Sequence, residues 1–371
     1  MKTKTALPRG TTHEPELTDP VKLCTRKGLL RRASTGWSRR PLHTSNLRGH
    51  WGRKKKWNYW AVTSDEYLFS VTVGNLDYLG IVFVYFFDFE TRRFIEKTIT
   101  TPLGIGCSMP ETVEAPIDFR HKKMNVLLDD RSSSVSLRAD APRFGDGPLK
   151  ADISVTRPAG HETLNVVIPW SRDRFQFTSK QNTLPACGTV RIGGEEYVFE
   201  EGKSFAVLDY GRGVWKYDCF WNWGAGSGVH DGRTVGLNLG GGWTDGTGMT
   251  ENGICVDGRL TKIGDELEFT YDSDDYMRPW TVRSRSSDAV DLKLVPFFER
   301  VAKTNLLVMR SEVHQVFGHY SGAVMAESGE RIAIDDEYVS QLTCLNGAQV
   351  ILAFYQVCIR PRGCTQHRHR V

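Results

Sequence analysis

The sequence contains no apolar run long enough to cross a bilayer as a helix. Its longest run is GIVFVYFF, residues 80–87, whereas a transmembrane helix needs about 20 apolar residues. The first residues lack the apolar segment of a secretory signal, and the chain has no Asn-x-Ser/Thr sequon. These absences predict a soluble protein of the cytoplasm without a transmembrane segment.

Paired cysteines at metal-ligand spacing are also missing. The chain has eight cysteines, but it has no Cys-x-x-Cys, and no cysteine stands near a paired histidine. A zinc site needs such closely spaced ligands. We therefore expect no metal site, and we expect reduced thiols that are mostly buried.

Phosphate-binding loops are a third absence. The glycine-rich stretch GLNLGGGWTDGTGMTENG, residues 236–253, fails the Gly-x-Gly-x-x-Gly pattern, because Glu251 stands at the third position after Gly246 and Gly248. No Walker A motif occurs, so we expect no nucleotide and no other cofactor. Glycine within a strand instead permits a bulge or the close approach of another group. This run therefore requires a geometric explanation.

Positive charge is concentrated near the N-terminus. Residues 21–56 contain twelve Lys or Arg and no acidic residue, while the rest of the chain has 36 basic and 44 acidic residues, a net of −8. The segment could contact phosphate or an anionic membrane surface, or it could pack on the acidic body. Trp37 and Trp51 favour packing, because large aromatic side chains can anchor a segment. Residues 1–20 are polar and are expected to form a loose tail.

Short segments rich in β-branched and aromatic residues follow one another from Trp57 onward. They are separated by turn residues, of which Asp257-Gly258 is typical of a two-residue hairpin. The pattern predicts an all-β fold with few helices, of sandwich or barrel type. We expect a first β domain at 57–190 and a second at 191–371, with the end of the second undetermined from about residue 337.

Polar and aromatic residues alternate in two of these segments. With the two-residue period of a strand, Trp221 and Trp223 share one face and Asn222 lies on the other, while Asn238 lies between two leucines. Buried asparagines must find hydrogen-bond partners. They could form the floor of a pocket whose walls are tryptophan side chains, or they could belong to a hydrogen-bonded network in the core. The candidate ligand-binding residues are Trp221, Asn222, Trp223, Asn238, Trp243, Asn252 and Gln315.

Three ionisable residues are candidates for acid–base catalysis. Glu251 and Asp245 could form a carboxylate pair, and such pairing raises one pKa, as catalysis often requires. They could also be loop acids in contact with water. His314 could transfer protons near neutral pH, although a lone histidine in a strand is more often structural.

Several long motifs, in a constant order, resemble the domain-of-unknown-function 2804 proteins. The resemblance extends from about Glu16 to Asp336. Its motifs are GWSRRPLHTSNLRGHWGRKKKWNYW, FQFTSKQNTLPACGTV, LDYGRGVWKYDCFWNW, GLNLGGGWTDGTGMTENGICVDGRLTKI and HQVFGHYSG. That family is distantly similar to the lipocalin-like group that includes carotenoid 1,2-hydratase (hydroxyneurosporene synthase). The tail after Asp336 departs from the pattern, with three cysteines and a basic end.

The resemblance implies two consecutive lipocalin-like antiparallel β-barrels or curled sheets. It supplies no activity, but the hydratase relatives suggest acid–base chemistry on an apolar substrate without a cofactor. We favour a protein that binds an apolar small molecule in a barrel or an inter-domain pocket. One alternative is a cofactor-independent hydratase or isomerase that uses Glu251, Asp245 or His314.

A second alternative is the binding of nucleic acid or an anionic surface by residues 21–56. Nucleic acid is the less favoured partner, because this segment lacks the regular aromatic stacking pattern of single-strand binders. The oligomeric state is left open.

Overall fold

The computed structural model describes residues 12–306, 309–334 and 344–350, and for 304–306, 309–310 and 344–350 it describes the backbone alone. The described residues form 25 β-strands and one short 3-10 helix, Arg32–Ser34, without an α-helix. Within those ranges, no helix has the length and apolar character that crossing a membrane requires. The predicted all-β class with few helices is confirmed.

The strands between residues 21 and 214 build one large antiparallel sheet and a small parallel pair. They are β1 (Val21–Lys22), β2 (Trp37–Ser38), β3 (His43–Thr44), β4 (Lys54–Thr63), β5 (Tyr67–Asn75), β6 (Leu79–Asp88), β7 (Phe94–Pro102), β8 (Ile117–Phe119), β9 (Asn125–Asp130), β10 (Ser134–Phe144), β11 (Gly147–Thr156), β12 (Leu164–Pro169), β13 (Phe175–Ile192), β14 (Glu195–Phe199) and β15 (Phe205–Val214). The main order is β7-β6-β5-β4-β15-β13-β11-β10-β9-β8, with β12 and β14 paired to β13, and β2 paired to β12. The separate parallel pair is β1 with β3.

The remaining described strands build the second antiparallel sheet. They are β16 (Asp218–His230), β17 (Arg233–Gly241), β18 (Asn252–Val256), β19 (Arg259–Ile263), β20 (Leu267–Thr270), β21 (Trp280–Ser284), β22 (Val290–Leu306), β23 (Met309–Met325), β24 (Arg331–Ile334) and β25 (Cys344–Val350). Their order is β19-β18-β17-β16-β25-β23-β22-β21-β20, with β24 paired to β23. Apart from β25, the tail after Asp336 lies outside the described residues.

The first sheet curls until its β7 edge approaches the β10–β11 hairpin. Ile95 of β7 lies close to Gly145 in that hairpin, and Arg93 forms an ion pair with Glu195 at the start of β14. Alternate residues of the strands are apolar and buried, and they fill the space that the curl encloses.

The second sheet curls in the same way around a smaller core. Glu327, in the turn after β23, donates its backbone N–H to Thr261 Oγ1 of β19 at 2.8 Å, and Arg233 pairs with Glu330 at 2.8 Å. Apolar side chains of β17, β18 and β21 to β24 fill the enclosed space. The prediction of two consecutive antiparallel curled sheets is confirmed.

The change from the first sheet to the second falls after Val214, not near residue 190 where the sequence analysis divided the chain. The turn at Gly193 joins β13 to β14 within the first sheet. β15 then pairs with β4 along its whole length. A turn signal between two strands marks a hairpin as readily as a domain boundary, and pairing with distant strands decides between them.

The predicted hairpin turn at Asp257-Gly258 is confirmed. Val256 pairs with Arg259 across it, and both turn residues have positive φ, 49° and 77°. These angles are those of the type I′ turn that two-residue hairpins favour.

The two sheets pack through the outer face of the first. Aromatic residues of β4 and β6 meet β16 and β23 in an apolar layer that includes Phe87 and Phe317, whose ring centroids are 5.7 Å apart. The layer also contains a polar contact, because Gln315 of β23 donates to Tyr85 Oη at 3.0 Å. This part of the first sheet is thereby removed from water on both faces.

The basic N-terminal segment lies against the body of the protein. Trp37 is 3% exposed, and its strand β2 pairs with β12. Trp51 does not anchor the segment, because it is 67% exposed. Arg39 pairs with Glu162 at 2.9 Å and with Glu327 at 3.1 Å, so part of the positive charge is neutralised within the chain.

Residues 12–20 do not form the expected loose tail, and residues 1–11 lie outside the described residues. Glu14 is 4% exposed and forms an ion pair with the buried Lys262 of β19. Its carboxylate also accepts a hydrogen bond from the backbone N–H of Thr250. A buried charge needs a partner, and this requirement holds the tail against the loop before β18.

Replacement of Glu14 by alanine should lower the free energy of unfolding by about 3 kcal/mol or more, because Lys262 would keep a buried charge without its partner. Urea denaturation measures this loss. Glu16 offers a matched control, since its carboxylate pairs with Arg39 at 3.2 Å but is 40% exposed. Glu16→Ala should therefore cost less than about 1 kcal/mol. Equal and small losses for the two variants would contradict a structural role for the Glu14–Lys262 pair.

Candidate functional site

A cavity of about 230 Å³ lies between the two sheets, on the outer face of the first. Its lining is mostly aromatic and aliphatic, with a few ionisable groups. The lining residues are Lys55, Lys56, Trp57, Tyr59, Thr72, Gly74, Leu76, Ile81, Phe83, Lys180, Asp209, Trp215, Trp221, Trp223, Trp243, Glu251, Ser311 and Val313. Because both sheets contribute, the cavity forms only when they pack together.

Strand register arranges the floor of the cavity in rows. The first row crosses β13, β15, β4 and β5, and each residue stands opposite the next. Its members are Lys180, Asp209, Tyr59 and Thr72. Lys180 Nζ lies 2.8 Å from Asp209 Oδ1, so an ion pair occupies one end of an otherwise uncharged row.

The second row leaves open space. Gly211, Trp57, Gly74 and Ile81 stand opposite one another in β15, β4, β5 and β6. A side chain on Gly211 would overlap the Trp57 indole, and a Cβ on Gly74 would lie 3.0 Å from Ile81. The two glycines therefore provide the room that the indole and the cavity occupy.

Tryptophans from several segments form the walls. Trp215, which connects the sheets, has its ring centroid 5.5 Å from Trp57, 5.5 Å from Trp243 and 5.8 Å from Trp221. The Trp57 and Trp215 rings meet edge to face at 89°. Such edge-to-face contacts are a favoured aromatic geometry. The walls consequently present large, closely packed rings to the cavity.

Glu251 places a carboxyl group against this wall. The residue directly precedes β18 and is completely buried, and its Oε1 accepts a hydrogen bond from the Trp243 indole N–H at 2.6 Å. The Glu251 side chain lies over Gly240 of β17, where any Cβ would overlap it. Gly240 thus makes room for a buried carboxyl group, which explains part of the glycine run.

Burial dominates the protonation of Glu251. Loss of hydration raises the pKa of Glu251 to about 7; Lys180 opposes this rise, and Asp209 adds to it. Glu251 Oε2 lies 3.3 Å from Lys180 Nζ, and it has no hydrogen-bond partner in the part of the chain that the structure describes. This pKa places the titration of Glu251 near neutral pH, and the carboxyl oxygen that does not bond to Trp243 faces Lys180.

Asn238 and Asn252 lie behind the wall and support it. Asn238 Oδ1 accepts from the Trp223 indole N–H at 2.9 Å, and the Asn238 amide donates to the Glu251 carbonyl. Asn252 Oδ1 accepts from the Gly240 N–H at 2.6 Å. Both asparagines are buried, and their hydrogen bonds hold residues that border the cavity. They correspond to the hydrogen-bonded network that the sequence analysis weighed against a pocket floor.

Asp245 does not come together with Glu251. Asp245 Oδ1 accepts from the Gly242 N–H at 2.9 Å, and its Oδ2 lies 2.9 Å from Arg285. Asp245 lies in the loop after β17, outside the cavity lining. Glu251 is linked instead, through Lys180, to Asp209 of the first sheet.

His314 also faces away from the cavity. Its Nδ1 lies 2.6 Å from Glu299, its Nε2 lies 2.9 Å from Glu312, and its ring stacks on Tyr276 at 4.3 Å. The preceding residue, Val313, lines the cavity. Because successive side chains of a strand point to opposite faces, His314 is turned toward the inside of the second sheet.

The other predicted ligand-binding residues divide between the two faces of their strands. Trp221, Trp223 and Trp243 line the cavity, as a tryptophan-walled pocket requires. Asn222 points the other way and donates to Tyr271 Oη at 3.4 Å. Gln315 lies beside the cavity, in the polar contact between the sheets described above.

Sequence reasoning missed the groups that the first sheet contributes. Lys180 and Asp209 are charged residues within strands that are otherwise buried, and such a charge signals a buried partner. Their motifs, FQFTSKQNTLPACGTV and LDYGRGVWKYDCFWNW, contained this signal. Strand register places these two residues opposite each other, and sheet packing brings Glu251 to them. Both depend on contacts between distant parts of the chain.

The described residues include no group of three or more His, Cys, Asp or Glu that could hold a metal ion. The described cysteine side chains form no disulfide, and four of them are buried: Cys24, Cys107, Cys219 and Cys255. Burial raises the pKa of the Cys219 thiol to about 12, so it is a packing residue near neutral pH.

The fold and the cavity define a class of protein: an all-β chain with two curled sheets and a cavity of about 230 Å³ between them. The sequence matches the family described as Domain of unknown function (DUF2804) over residues 14–339. The chain belongs to this family, which confirms the resemblance seen in its motifs. None of the curated proteins matches the sequence.

Two solved structures illustrate how far the backbone resembles that of other proteins. Kievitone hydratase from Nectria haematococca has a TM-score of 0.48 and 11% identity, with coverage of 80% of this chain and 88% of that chain. CghA with Sch210972 has a TM-score of 0.45 and 12% identity, with coverage of 81% and 88%. At these values, neither structure supports a statement about the chemistry of this chain.

The raised pKa of Glu251 predicts a pH-dependent difference between the wild type and Glu251→Gln. Between pH 4.5 and about 7, the folded state binds a proton at Glu251 that the unfolded state has lost, so this group's contribution to stability falls as the pH rises. The glutamine variant lacks this dependence and keeps an acceptor for Trp243. From pH 5 to pH 8, it should gain up to about 3 kcal/mol relative to the wild type. Urea denaturation across this range checks the slope, and a constant difference would contradict the buried protonated state.

Proposed function

We propose that this protein binds an apolar small molecule in the cavity between its two sheets. The proposal rests on the cavity itself, which has a volume of about 230 Å³, tryptophan walls and a floor that Gly74 leaves open. Small-molecule sites are typically concave and mostly apolar, with a few convergent polar groups. The interiors of both curled sheets are filled by apolar side chains, which favours the space between them.

Unpartnered polar atoms indicate where a ligand would be oriented. The Thr72 hydroxyl is buried and has no hydrogen-bond partner among the described residues, while Glu251 Oε2 has the ion-pair contact with Lys180 at 3.3 Å; both residues line the cavity. Buried polar atoms normally have partners. A ligand hydroxyl or carbonyl group could supply these partners and so fix the orientation of an otherwise apolar body.

A second candidate function is cofactor-independent acid–base catalysis, and the state of Glu251 favours it. A general acid works best when its pKa is near the working pH, and burial raises the pKa of Glu251 to about 7. The protonated carboxyl could give its proton to an alkene carbon of the ligand, and water could then add to the resulting cation. The proton lost by that water would return to Glu251, which would complete a hydration.

Binding of an anionic surface or nucleic acid by residues 21–56 has less support. Trp37, His43 and Lys55 of this segment are buried, and Arg39 is paired with acidic residues of the body. A segment that binds a polyanion needs exposed positive charge.

Filling the floor of the cavity should abolish ligand binding. Gly74→Val would place methyl groups in the cavity. We expect at least a tenfold loss of affinity for the molecule that co-purifies with the protein. This molecule would be extracted and titrated back into the protein, and native mass spectrometry would measure its binding. Gly194→Val is the matched control, because a Cβ there meets nothing within 4 Å. Circular dichroism verifies that both variants are folded. Equal binding by both variants would overturn the proposal. So would a wild-type protein that carries no bound molecule and binds no apolar fluorescent probe.

The enzyme candidate predicts exchange of solvent protons into the bound molecule. Wild-type protein in deuterium oxide should introduce deuterium into the extracted ligand, as mass spectrometry would detect. Glu251→Gln should reduce this rate at least a hundredfold while binding is retained, because general acid catalysis contributes about 10² to 10⁴ in rate. Asp245→Asn is the control and should react at the wild-type rate. Binding without any exchange in the wild type would leave the protein a binding module and eliminate the enzyme candidate.

A further inference from the structure

Lys55 forms a second polar position in the cavity, at the end away from Glu251. It stands opposite Gly213 of β15, two residues along β4 from Trp57 and four from Tyr59. The residue is 1% exposed and lines the cavity. Its Nζ donates to Tyr78 Oη at 2.9 Å. An ammonium group with three donors is therefore present in a largely apolar cavity.

No carboxylate is in salt-bridge contact with Lys55 in the described part of the chain. The nearby Asp77 pairs with Lys54 at 3.3 Å and also accepts from the Gly52 N–H at 2.8 Å. Burial lowers the pKa of Lys55 to about 7, Asp77 opposes this change, and Arg53 adds to it. Buried charges are normally paired, and among the described residues Lys55 has the Tyr78 hydroxyl as its hydrogen-bond partner but no carboxylate in contact.

The two polar positions are separated by the open second row. Lys55 and the row that contains Tyr59 and Asp209 are four residues apart along β4, which corresponds to roughly 13 Å along an extended strand. Trp57 and the two glycines of its row lie between them. The cavity thus has an ammonium end, an aromatic middle and an end formed by Glu251, Lys180 and Asp209.

We propose that the ligand of this cavity is an apolar molecule with a carboxylate at one end, and that this carboxylate pairs with Lys55. The inference rests on the proposed function of the cavity and adds a chemical class to it. A carboxylate would supply the buried ammonium with its missing counter-charge through a charge-assisted hydrogen bond. Lys56 also lines the cavity, but as the next residue of β4 its side chain points to the opposite face of the strand, so one ammonium meets the anion. One ammonium matches a monoanion, whereas multiply charged phosphate groups are usually held by several cations or backbone donors.

The orientation of the ligand follows from this pairing. With the carboxylate at Lys55, the apolar body would cover Trp57 and Gly74, and the far end of the molecule would reach Glu251 and Thr72. The distal group is then the one that meets the protonatable carboxyl. Charge at Lys55 therefore selects which end of an amphipathic acid is presented to Glu251.

Matched pairs of acids and neutral amides test the inference. The probes are 2-naphthylacetate with 2-naphthylacetamide, and dodecanoate with dodecanamide, titrated by calorimetry into the full chain at pH 6.5 and pH 8.5. Wild-type protein should bind each acid at least tenfold more tightly than its amide at pH 6.5. The preference should decrease at pH 8.5, because Lys55, whose pKa burial lowers to about 7, must then take up a proton before it can pair with the acid. Amide binding should not change with pH in this way.

Lys55→Met provides the decisive variant, because methionine keeps the apolar stem and removes the charge. It should bind acid and amide with equal affinity, and amide binding should stay within about twofold of the wild type. Lys150→Met, at an exposed position of β11, is the control and should keep the acid preference. Persistence of the preference in Lys55→Met would overturn the inference.

The outcomes separate the inference from the proposed function. Equal binding of acid and amide by the wild type at both pH values would refute the carboxylate assignment and leave the cavity as a binding site for neutral molecules. Failure of the wild type to bind any of the four probes would count against the cavity as a ligand site altogether. If Lys55→Met does not fold, the pH dependence of acid relative to amide binding in the wild type decides the question alone.

Discussion

The buried contact of Glu251 with Lys180 and Asp209 is the constraint on which the rest of the site depends. Glu251 belongs to the second sheet and the other two belong to the first, so the contact exists only when the sheets are packed. Ionisable groups in a dry interface are expensive to bury, and removal of one partner is costlier still. The interface must therefore hold its geometry, and the apolar layer and the Gln315 hydrogen bonds beside it serve that purpose.

Glycine makes this arrangement sterically feasible. Gly240 gives space to the Glu251 side chain, Gly211 to the Trp57 indole, and Gly74 to the cavity beside Ile81. A glycine in a strand loses packing and costs conformational entropy. Here the space that each one leaves is filled by a functional side chain or by the cavity. Within the glycine-rich stretch, Gly240 consequently allows a carboxyl group to be buried between strands.

Much of the fold could be predicted from local patterns, and much of the site could not. Alternation correctly separated Trp221 and Trp223 from Asn222, and the Asp257-Gly258 turn was recognisable because its chemistry is local. Whether Glu251 and Asp245 form a pair could not be decided from their closeness in sequence, and in the structure Asp245 forms an ion pair with Arg285 instead. The same limit applies to the first-sheet residues, whose charges were visible but whose partners lay far along the chain.

The sequence by itself determined the strand-rich class, the family and the strand face on which Trp221 and Trp223 lie, because these follow from short-range periodicity, turn chemistry and shared motifs. Only the tertiary structure decided that β15 pairs with β4, that the cavity lies between the sheets, and that Lys55 and Glu251 both line it. The physical reason is that strand register and sheet packing join residues more than a hundred positions apart. Burial then gives these residues properties, such as the raised pKa of Glu251, that no local segment has alone.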